Sequence, residues 1–194
     1  MSELDGSLYF VKEHVGMFKA ANNYDICDPQ SSEVILECRE PNLGMFTKIL
    51  RFTNYKHFTP FSFTISNKRG ACLVKVQKGW TFLGATVSVF NERGKLVGFI
   101  KRKLFSLKPK MTILNAKNEQ VGDLVGSFIG WNFTFTHRGD EKAKVTKEWA
   151  GMAKELFTTA DNYVLSINET TEAGSQIRPM IFASVLCIDM LFKN

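Results

Sequence analysis

The chain has 194 residues, 44% of them hydrophobic and 23% charged, and its 25 Lys and Arg against 19 Asp and Glu give a net charge of +6. A chain of this length buries roughly two thirds of the surface that its unfolded form exposes, so a hydrophobic core can hold it together without a metal or a disulfide. The composition excludes collagen-like, disordered and disulfide-stapled miniature proteins and predicts a single globular domain over residues 1–194.

The N-terminal segment and the cysteines predict the compartment. The first thirty residues contain acidic side chains and no apolar run of signal-peptide length. The four cysteines are scattered, with neither a CxxC pair nor a histidine at metal-ligand spacing. We therefore expect free, buried thiols in a reducing compartment, in a cytoplasmic protein that is peripheral wherever it meets a membrane.

Short runs rich in Val, Ile, Phe and Thr recur from Tyr24 to Val145 and predict an antiparallel sheet. The runs Phe61–Ile65 and Trp131–Phe135 alternate apolar with polar residues, which places one face of each strand on a core. The turns between the runs start 24 residues apart, a spacing that fits two strands with their turns and predicts a meander of hairpins. These turns are Asn67 to Gly70, Asn91 to Gly94 and Asn115 to Asn118, with Arg138-Gly139 close to the next expected position.

Two helices are predicted after the strands. Residues 146–158 carry a single apolar stripe, whereas residues 179–192 are apolar on every side. Those 14 residues would span about 21 Å as a helix, against about 30 Å for a membrane core. A short helix that is apolar all round needs apolar contacts on all sides, so the pattern predicts a β-barrel wrapped around its C-terminal helix. A further short helix is predicted between Asn42 and Arg51.

The net charge is concentrated in one segment of the sequence. Residues 93–117 hold eight Lys or Arg and no acid, so the rest of the chain is slightly acidic. Such a band predicts a surface for an anionic partner, either lipid headgroups or nucleic acid, and a solvated sheet face is the alternative. The candidate lipid-binding residues are Arg93, Lys95, Lys101, Arg102, Lys103, Lys108 and Lys110.

Apolar residues interleave with the cations between Phe99 and Lys110. Apolar side chains at a loop or strand end could enter an interface while the cations meet phosphates, which favours a membrane surface. These side chains are Phe99, Ile100, Leu104, Phe105 and Leu107. Single-stranded nucleic acid, stacked on the aromatic rings, is the competing partner.

Motifs of catalysis are missing from the sequence. The three histidines are far apart, and neither HExxH, GxSxG nor a phosphate loop occurs. No hydrolytic or redox site is therefore predicted, and no cofactor is required by the sequence.

The C-terminal third contains the helical motif Trp149-x-Gly151, then Phe157-Thr-x-Ala-Asp-Asn-Tyr163, a short strand and the hydrophobic C-terminal helix. These motifs, in this order, resemble those of the phospholipid scramblase family. Upstream, residues 18–26 resemble the family's Asn-x-Tyr-x-Ile strand and residues 109–113 its Pro-x-x-Thr-Ile strand. The matching residues are Trp149, Gly151, Glu155, Phe157, Thr158, Ala160, Asp161, Asn162 and Tyr163.

The resemblance implies a fold and a class of partner. The fold is the tubby-like one that scramblases share with LURP-one-related proteins, a closed antiparallel barrel of about twelve strands around a buried helix. The implied partners are anionic phospholipids or phosphoinositides, and the implied activity is movement of phospholipid between leaflets; a soluble interaction or nucleic-acid-binding module is the alternative. The residues expected to support this fold are Trp149, Gly151, Phe157, Asn162, Ile181, Val185 and Ile188.

The resemblance also implies a calcium loop, from which this sequence departs. The loop would run from Thr159 to Thr170, where the family has an Asp at both ends. Asp161 and Glu169 are the remaining candidate ligands, whereas calcium takes six to eight oxygens, several of them from carboxylates. We therefore expect an ordinary helix-to-strand connection here in preference to a calcium site.

Overall fold

A computed structural model describes residues 2–14, 23–41, 44, 47, 49–50, 58–81, 84–147 and 162–192. Within them the chain forms twelve β-strands and a C-terminal helix. The strands are β1 (Leu8–Glu13), β2 (Tyr24–Cys27), β3 (Val34–Arg39), β4 (Phe61–Asn67), β5 (Cys72–Lys78), β6 (Thr86–Asn91), β7 (Leu96–Arg102), β8 (Lys110–Asn115), β9 (Gln120–Ser127), β10 (Asn132–His137), β11 (Asp140–Thr146) and β12 (Tyr163–Ile167), and the helix spans Ile177–Phe192.

The twelve strands form one closed barrel in which neighbours in sequence are neighbours in space. Every pair is antiparallel, and β1 pairs with β12 to complete the closure. Closure leaves no unpaired sheet edge, which is how a meander of this many strands avoids edge-to-edge association. The predicted closed antiparallel barrel is confirmed.

The inward faces of the strands and the helix form one hydrophobic core. In β4, Phe61, Phe63 and Ile65 are buried while the residues between them are partly exposed, as the alternation predicts. All helix residues from Arg178 to Leu191 are buried. Ile181, Val185 and Ile188 are at most 1% exposed and lie inside the barrel. The predicted barrel with a buried C-terminal helix is confirmed.

The predicted hairpin turns are present and share one construction. Gly70, Gly94 and Asn118 have positive φ at the turn exits, where glycine and asparagine are best tolerated. The Asn that opens each turn accepts two backbone N–H hydrogen bonds on its side-chain oxygen, from the residues two and four positions later. Hydrogen bonds to a nearby asparagine side chain therefore determine the conformation of these turns.

The barrel has two unlike ends. The end we call the turn end carries the short connections at 68–71, 92–95, 116–119 and 138–139. The opposite end, which we call the loop end, carries the connections at 79–85, 103–109 and 128–131. The helix enters at the turn end and finishes at the loop end, where Arg102 at the end of β7 bonds the carbonyl oxygen of Leu191. No helix among the described residues is long and apolar enough to span a membrane.

Several sequence predictions fall outside the described residues. The helix predicted over 146–158 falls outside the described residues from residue 148 onward, together with Trp149, Gly151 and Phe157. Thr146, its predicted first residue, is instead the last residue of β11. The helix predicted between residues 42 and 51 is described only at Thr47, Ile49 and Leu50, which are helical. Asn162 is described and is buried immediately before β12.

Candidate functional site

The basic band of residues 93–117 is divided between the two ends of the barrel. Arg93 and Lys95 lie in the β6–β7 turn at the turn end, whereas Lys103 and Lys108 lie in the β7–β8 loop at the loop end. Strand β7 separates them by six residue steps, about 20 Å. The band that is continuous in sequence is therefore not one face of the molecule.

Arg102 is turned inward and caps the C-terminal helix. It lies two residues after the buried Ile100, so its side chain points into the barrel mouth. Its Nη1 donates a hydrogen bond to the carbonyl oxygen of Leu191 at 2.5 Å, and its guanidinium lies 5.0 Å from the centre of the Phe192 ring. Burial lowers the pKa of Arg102, yet an arginine stays charged at neutral pH. The charged guanidinium of Arg102 therefore caps the C-terminal end of the helix, where a cation is favourable.

Two further cations of the band are engaged on the barrel wall. The ammonium of Lys101 donates a hydrogen bond to the side-chain oxygen of Asn118 at 3.0 Å, so it points toward the turn end. The ammonium of Lys110 lies 3.0 Å from a carboxylate oxygen of Asp123. Among the described residues of the band, the exposed cations at the loop end are Lys103 and Lys108.

Between those two lysines the β7–β8 loop projects apolar side chains into solvent. Phe105 is 94% exposed and Leu107 is fully exposed, with Leu104 about half exposed. Proteins rarely leave such side chains in water as a contiguous patch unless the patch meets a partner. Of the groups predicted to act together, Lys103, Lys108 and the three apolar side chains between them thus share one loop. Ile100 is instead buried in the core, and Phe99 lies within β7.

The neighbouring loops add apolar side chains that the sequence did not single out. Trp80 in the β5–β6 connection is 49% exposed, and Ile129 in the β9–β10 connection is 92% exposed. The β3–β4 connection, which contains Ile49, also lies at the loop end, because β4 begins there. All large hydrophobic side chains that are exposed among the described residues therefore lie on loop-end connections: Ile49, Trp80, Leu104, Phe105, Leu107 and Ile129. A large apolar residue beside a glycine in a connection, as in Gly79-Trp80 and Ile129-Gly130, is the signal that could have found two of them.

An aromatic cluster closes the barrel behind this patch. The ring of Phe128 packs edge-on against Trp131, Phe133 and Phe192, with ring centres 5.3–6.1 Å apart. Trp131 also stacks on Tyr163. Because edge-to-face aromatic packing is specific in its geometry, the base of the β9–β10 loop is fixed to the end of the helix.

The charges of the two ends differ as well. The connections 79–85, 103–109 and 128–131 contain no Asp or Glu. The turn end carries both signs, with acids such as Glu92, Glu119 and Asp140 beside its cations. Taken together, these three loop-end connections are therefore apolar and basic, whereas the turns at the opposite end carry both signs.

The calcium prediction is not resolved by the described residues. Glu169 is exposed in the connection between β12 and the helix, and Asp161 lies outside the described residues. No group of three or more candidate metal ligands occurs among the residues that the structure covers. The pair stays a prediction.

The family of the chain follows from comparison with known proteins. The Scramblase family model matches residues 11–194, which is nearly the whole barrel with its helix. The chain belongs to the scramblase family.

Individual relatives are distant. Human phospholipid scramblase family member 5 is 27% identical over 111 residues, which is 51% of this chain and 39% of the relative. Mouse phospholipid scramblase 1 is 25% identical over 107 residues, 51% of this chain and 32% of the relative. A yeast protein, altered inheritance rate of mitochondria protein 25, is 21% identical over 96% of this chain and 64% of its own length. The matches thus span about a third of the length of the two mammalian relatives.

A solved structure supports the fold. The X-ray structure of a protein from Arabidopsis thaliana superposes with a TM-score of 0.56 at 12% identity, covering 94% of this chain and 90% of that one. The predicted tubby-like, scramblase-type barrel is consistent with this neighbour.

Proposed function

We propose that this protein binds anionic phospholipid bilayers from the cytoplasmic side, with the loop end of the barrel against the membrane. The observation that carries the proposal is the clustering of the exposed hydrophobic side chains on the connections of that one end. Lys103 and Lys108 flank the most exposed of them and supply the charge that anionic headgroups attract. The four free cysteines are consistent with the reducing cytoplasm.

The side chains of the β7–β8 loop supply free energy for binding to a membrane surface. Full burial of one Phe or Leu side chain contributes about 1.5–3 kcal/mol, and a lysine near an anionic surface about 1 kcal/mol. Phe105 and Leu107 with their two flanking lysines are therefore enough for reversible peripheral attachment, without an acyl anchor.

Lipid fits this surface better than nucleic acid does. Bases bind through stacking on aromatic rings or on guanidinium planes, whereas most of the exposed patch is aliphatic, with Leu104, Leu107 and Ile129 among its members. Aliphatic side chains gain free energy in an acyl environment. Single-stranded nucleic acid is therefore the weaker candidate.

Scrambling of phospholipid, the activity in the names of the mammalian relatives, is a separate part of the proposal. The C-terminal helix is buried on all sides within the barrel, so its apolar surface is already used. We propose that any effect on lipid movement starts from the loop end, where apolar loops enter one leaflet. Headgroup accessibility in reconstituted vesicles, with and without calcium, measures that activity directly.

Vesicle co-sedimentation tests the binding surface. Phe105→Ser with Leu107→Ser is expected to weaken binding to vesicles rich in phosphatidylserine about tenfold or more, because two apolar anchors are lost. Lys103→Ala with Lys108→Ala is expected to weaken it comparably at low salt and to reduce its salt dependence.

The matched control removes the same number of cations from the opposite end. Arg93→Ala with Lys95→Ala is expected to leave binding within about twofold, since these residues lie about 20 Å away along β7. Equal losses at the two ends, or binding that survives both loop-end variants, contradicts the proposal. A salt-dependent shift with single-stranded oligonucleotides and none with vesicles would move the assignment to nucleic acid.

A further inference from the structure

A cavity of about 430 Å³ opens at the turn end of the barrel, on the side away from the proposed membrane surface. It lies between the ends of β7 to β11 and the connection that leads from β12 into the helix. Its size falls within the range of small-molecule sites. None of the loop-end residues discussed above contributes to it.

The inner wall of the cavity is apolar. Side chains from three strands and the first turns of the helix form it, and Met180 and Val97 among them are otherwise buried in the core. An apolar wall of this kind binds a short hydrocarbon group by removing it from water. The apolar lining residues are Val97, Leu114, Val121, Ile177 and Met180.

The rim of the cavity is polar and carries cations. His137 continues the inward-facing series of Phe133 and Phe135, so its ring points into the cavity. Lys142 is 15% exposed and lines the same wall, with one ammonium contact to Asp140 at 3.3 Å. Arg138 adds a second cation.

Two polar atoms at this rim are buried without a hydrogen-bond partner among the described residues. They are Nδ1 of His137 and Oγ of Ser175, and both residues line the cavity. A buried polar atom left unpaired costs about 1–3 kcal/mol, and native proteins rarely leave one without a reason. A ligand head placed against His137 and Ser175 would offer these atoms a hydrogen-bond partner.

The charges around these atoms point to an anion. The helix that starts beside Ser175 has no acidic residue in its first turn, so its N-terminal dipole is not compensated there. Burial and then the charges of Arg138 and Lys142 lower the pKa of His137, against a smaller opposing effect of Asp140. The acid on the lining itself is Glu172, and it is exposed.

We infer that this cavity binds a small anionic amphiphile, a molecule with a phosphate or carboxylate head on a short hydrocarbon chain. The head accepts hydrogen bonds from His137, Ser175 and Lys142, and the chain lies against Met180 and its apolar neighbours. The site is independent of membrane binding, since it occupies the opposite end of the barrel. Loss of one site therefore leaves the other intact.

Titration of the full chain with octyl phosphate and with octanoate tests the inference, by calorimetry and by the NMR signals of the three histidine rings. We expect one molecule to bind, with the ring of His137 perturbed and those of His14 and His57 unchanged. The tighter of the two probes identifies the head group. Inorganic phosphate and octyl glucoside, which lack the chain and the charge respectively, are expected to bind at least tenfold more weakly.

Variants distinguish binding in the cavity from binding to surface charge in general. Lys142→Met is expected to weaken octyl phosphate binding about tenfold, the value of one charge-assisted hydrogen bond. Ser175→Ala, a small change at an unpaired hydroxyl, is expected to weaken it without affecting the fold. Lys117→Met, at the same end but outside the cavity, is expected to change binding less than twofold, and so is the loop-end pair Phe105→Ser and Leu107→Ser.

Three outcomes would overturn the inference. They are an unperturbed His137 ring at saturating octyl phosphate, equal losses in Lys142→Met and Lys117→Met, and inorganic phosphate or octyl glucoside binding as tightly as octyl phosphate.

Discussion

Gly98 in β7 shows how a single residue sets the packing of the strand that joins the two ends of the barrel. A Cβ added at this position would overlap the carbonyl oxygen of Leu114 on the neighbouring strand β8. Backbone cannot move aside as a flexible side chain can, so the two strands approach closely only because the residue is glycine.

Gly98→Ala is therefore expected to lower the free energy of unfolding by about 1–3 kcal/mol, the usual cost of forced overpacking. Gly79→Ala is the matched control, because an added Cβ at Gly79 meets no atom within 4 Å and the residue has no positive φ. Urea unfolding measures both. A loss below 0.5 kcal/mol in Gly98→Ala, or the same loss in the control, would show that β7 and β8 can separate at no cost.

At the scale of elements, the C-terminal helix is held in the barrel by an arginine at each end. Arg102 bonds its last turn at the loop end. At the turn end Arg178, itself buried, donates hydrogen bonds to the carbonyl oxygens of Leu4, Gly6, Thr171 and Glu172. The helix is thereby joined to the N-terminal segment and to its own leading connection.

Arg178→Met is expected to cost about 3–5 kcal/mol, because the buried carbonyl groups lose their donors. The urea midpoint should fall with little change in the slope of the transition. Arg69→Met, in an exposed turn, is the control and should stay within about 0.5 kcal/mol of the parent. A loss under 1 kcal/mol in Arg178→Met would mean that water or other groups replace the guanidinium.

The elements also show which features the sequence could predict. The hairpin turns were predictable because each depends on an Asn and a Gly or Asn within four residues. The helix in the barrel was predictable because a helix that is apolar on every side has few other places to lie. Strand β1 was not singled out, since its six residues lie upstream of the regular turn spacing.

The site was predictable only in part. The role of Arg102 depends on Leu191, which is 89 positions away in sequence. The residues around Arg102 alone therefore indicate a surface cation. Lys95 and Lys103 lie at opposite ends of the barrel because β7 runs between them. This placement can be derived only when the first and last residues of β7 are known. Trp80 and Ile129 join Phe105 only after the meander brings alternate connections to one end.

On the scale of the whole molecule, the barrel separates two surfaces that the sequence presents as one basic band. The loop end combines exposed apolar side chains with lysines and no acids in its three central connections. The turn end combines tight turns of mixed charge with a cavity. A scramblase-family barrel placed with its loop end on a bilayer therefore leaves the cavity facing the aqueous side.

Because most of the native cysteines are buried, this orientation can be tested by labelling an introduced cysteine. Burial raises the pKa of the thiols of Cys27, Cys38 and Cys187, and a buried protonated thiol reacts slowly. Cys72 is partly exposed, so Cys72→Ser gives a background in which an introduced exposed cysteine carries the label.

The most direct test of the proposed orientation is a polarity-sensitive fluorophore attached at either end of the barrel. In the Cys72→Ser background, the label is placed at Leu107→Cys in one sample and at Lys95→Cys in the other, and vesicles rich in phosphatidylserine are added. We expect a blue-shifted, brighter emission from position 107 and unchanged emission from position 95. A shift at position 95 with none at position 107, or equal shifts at both, would contradict it.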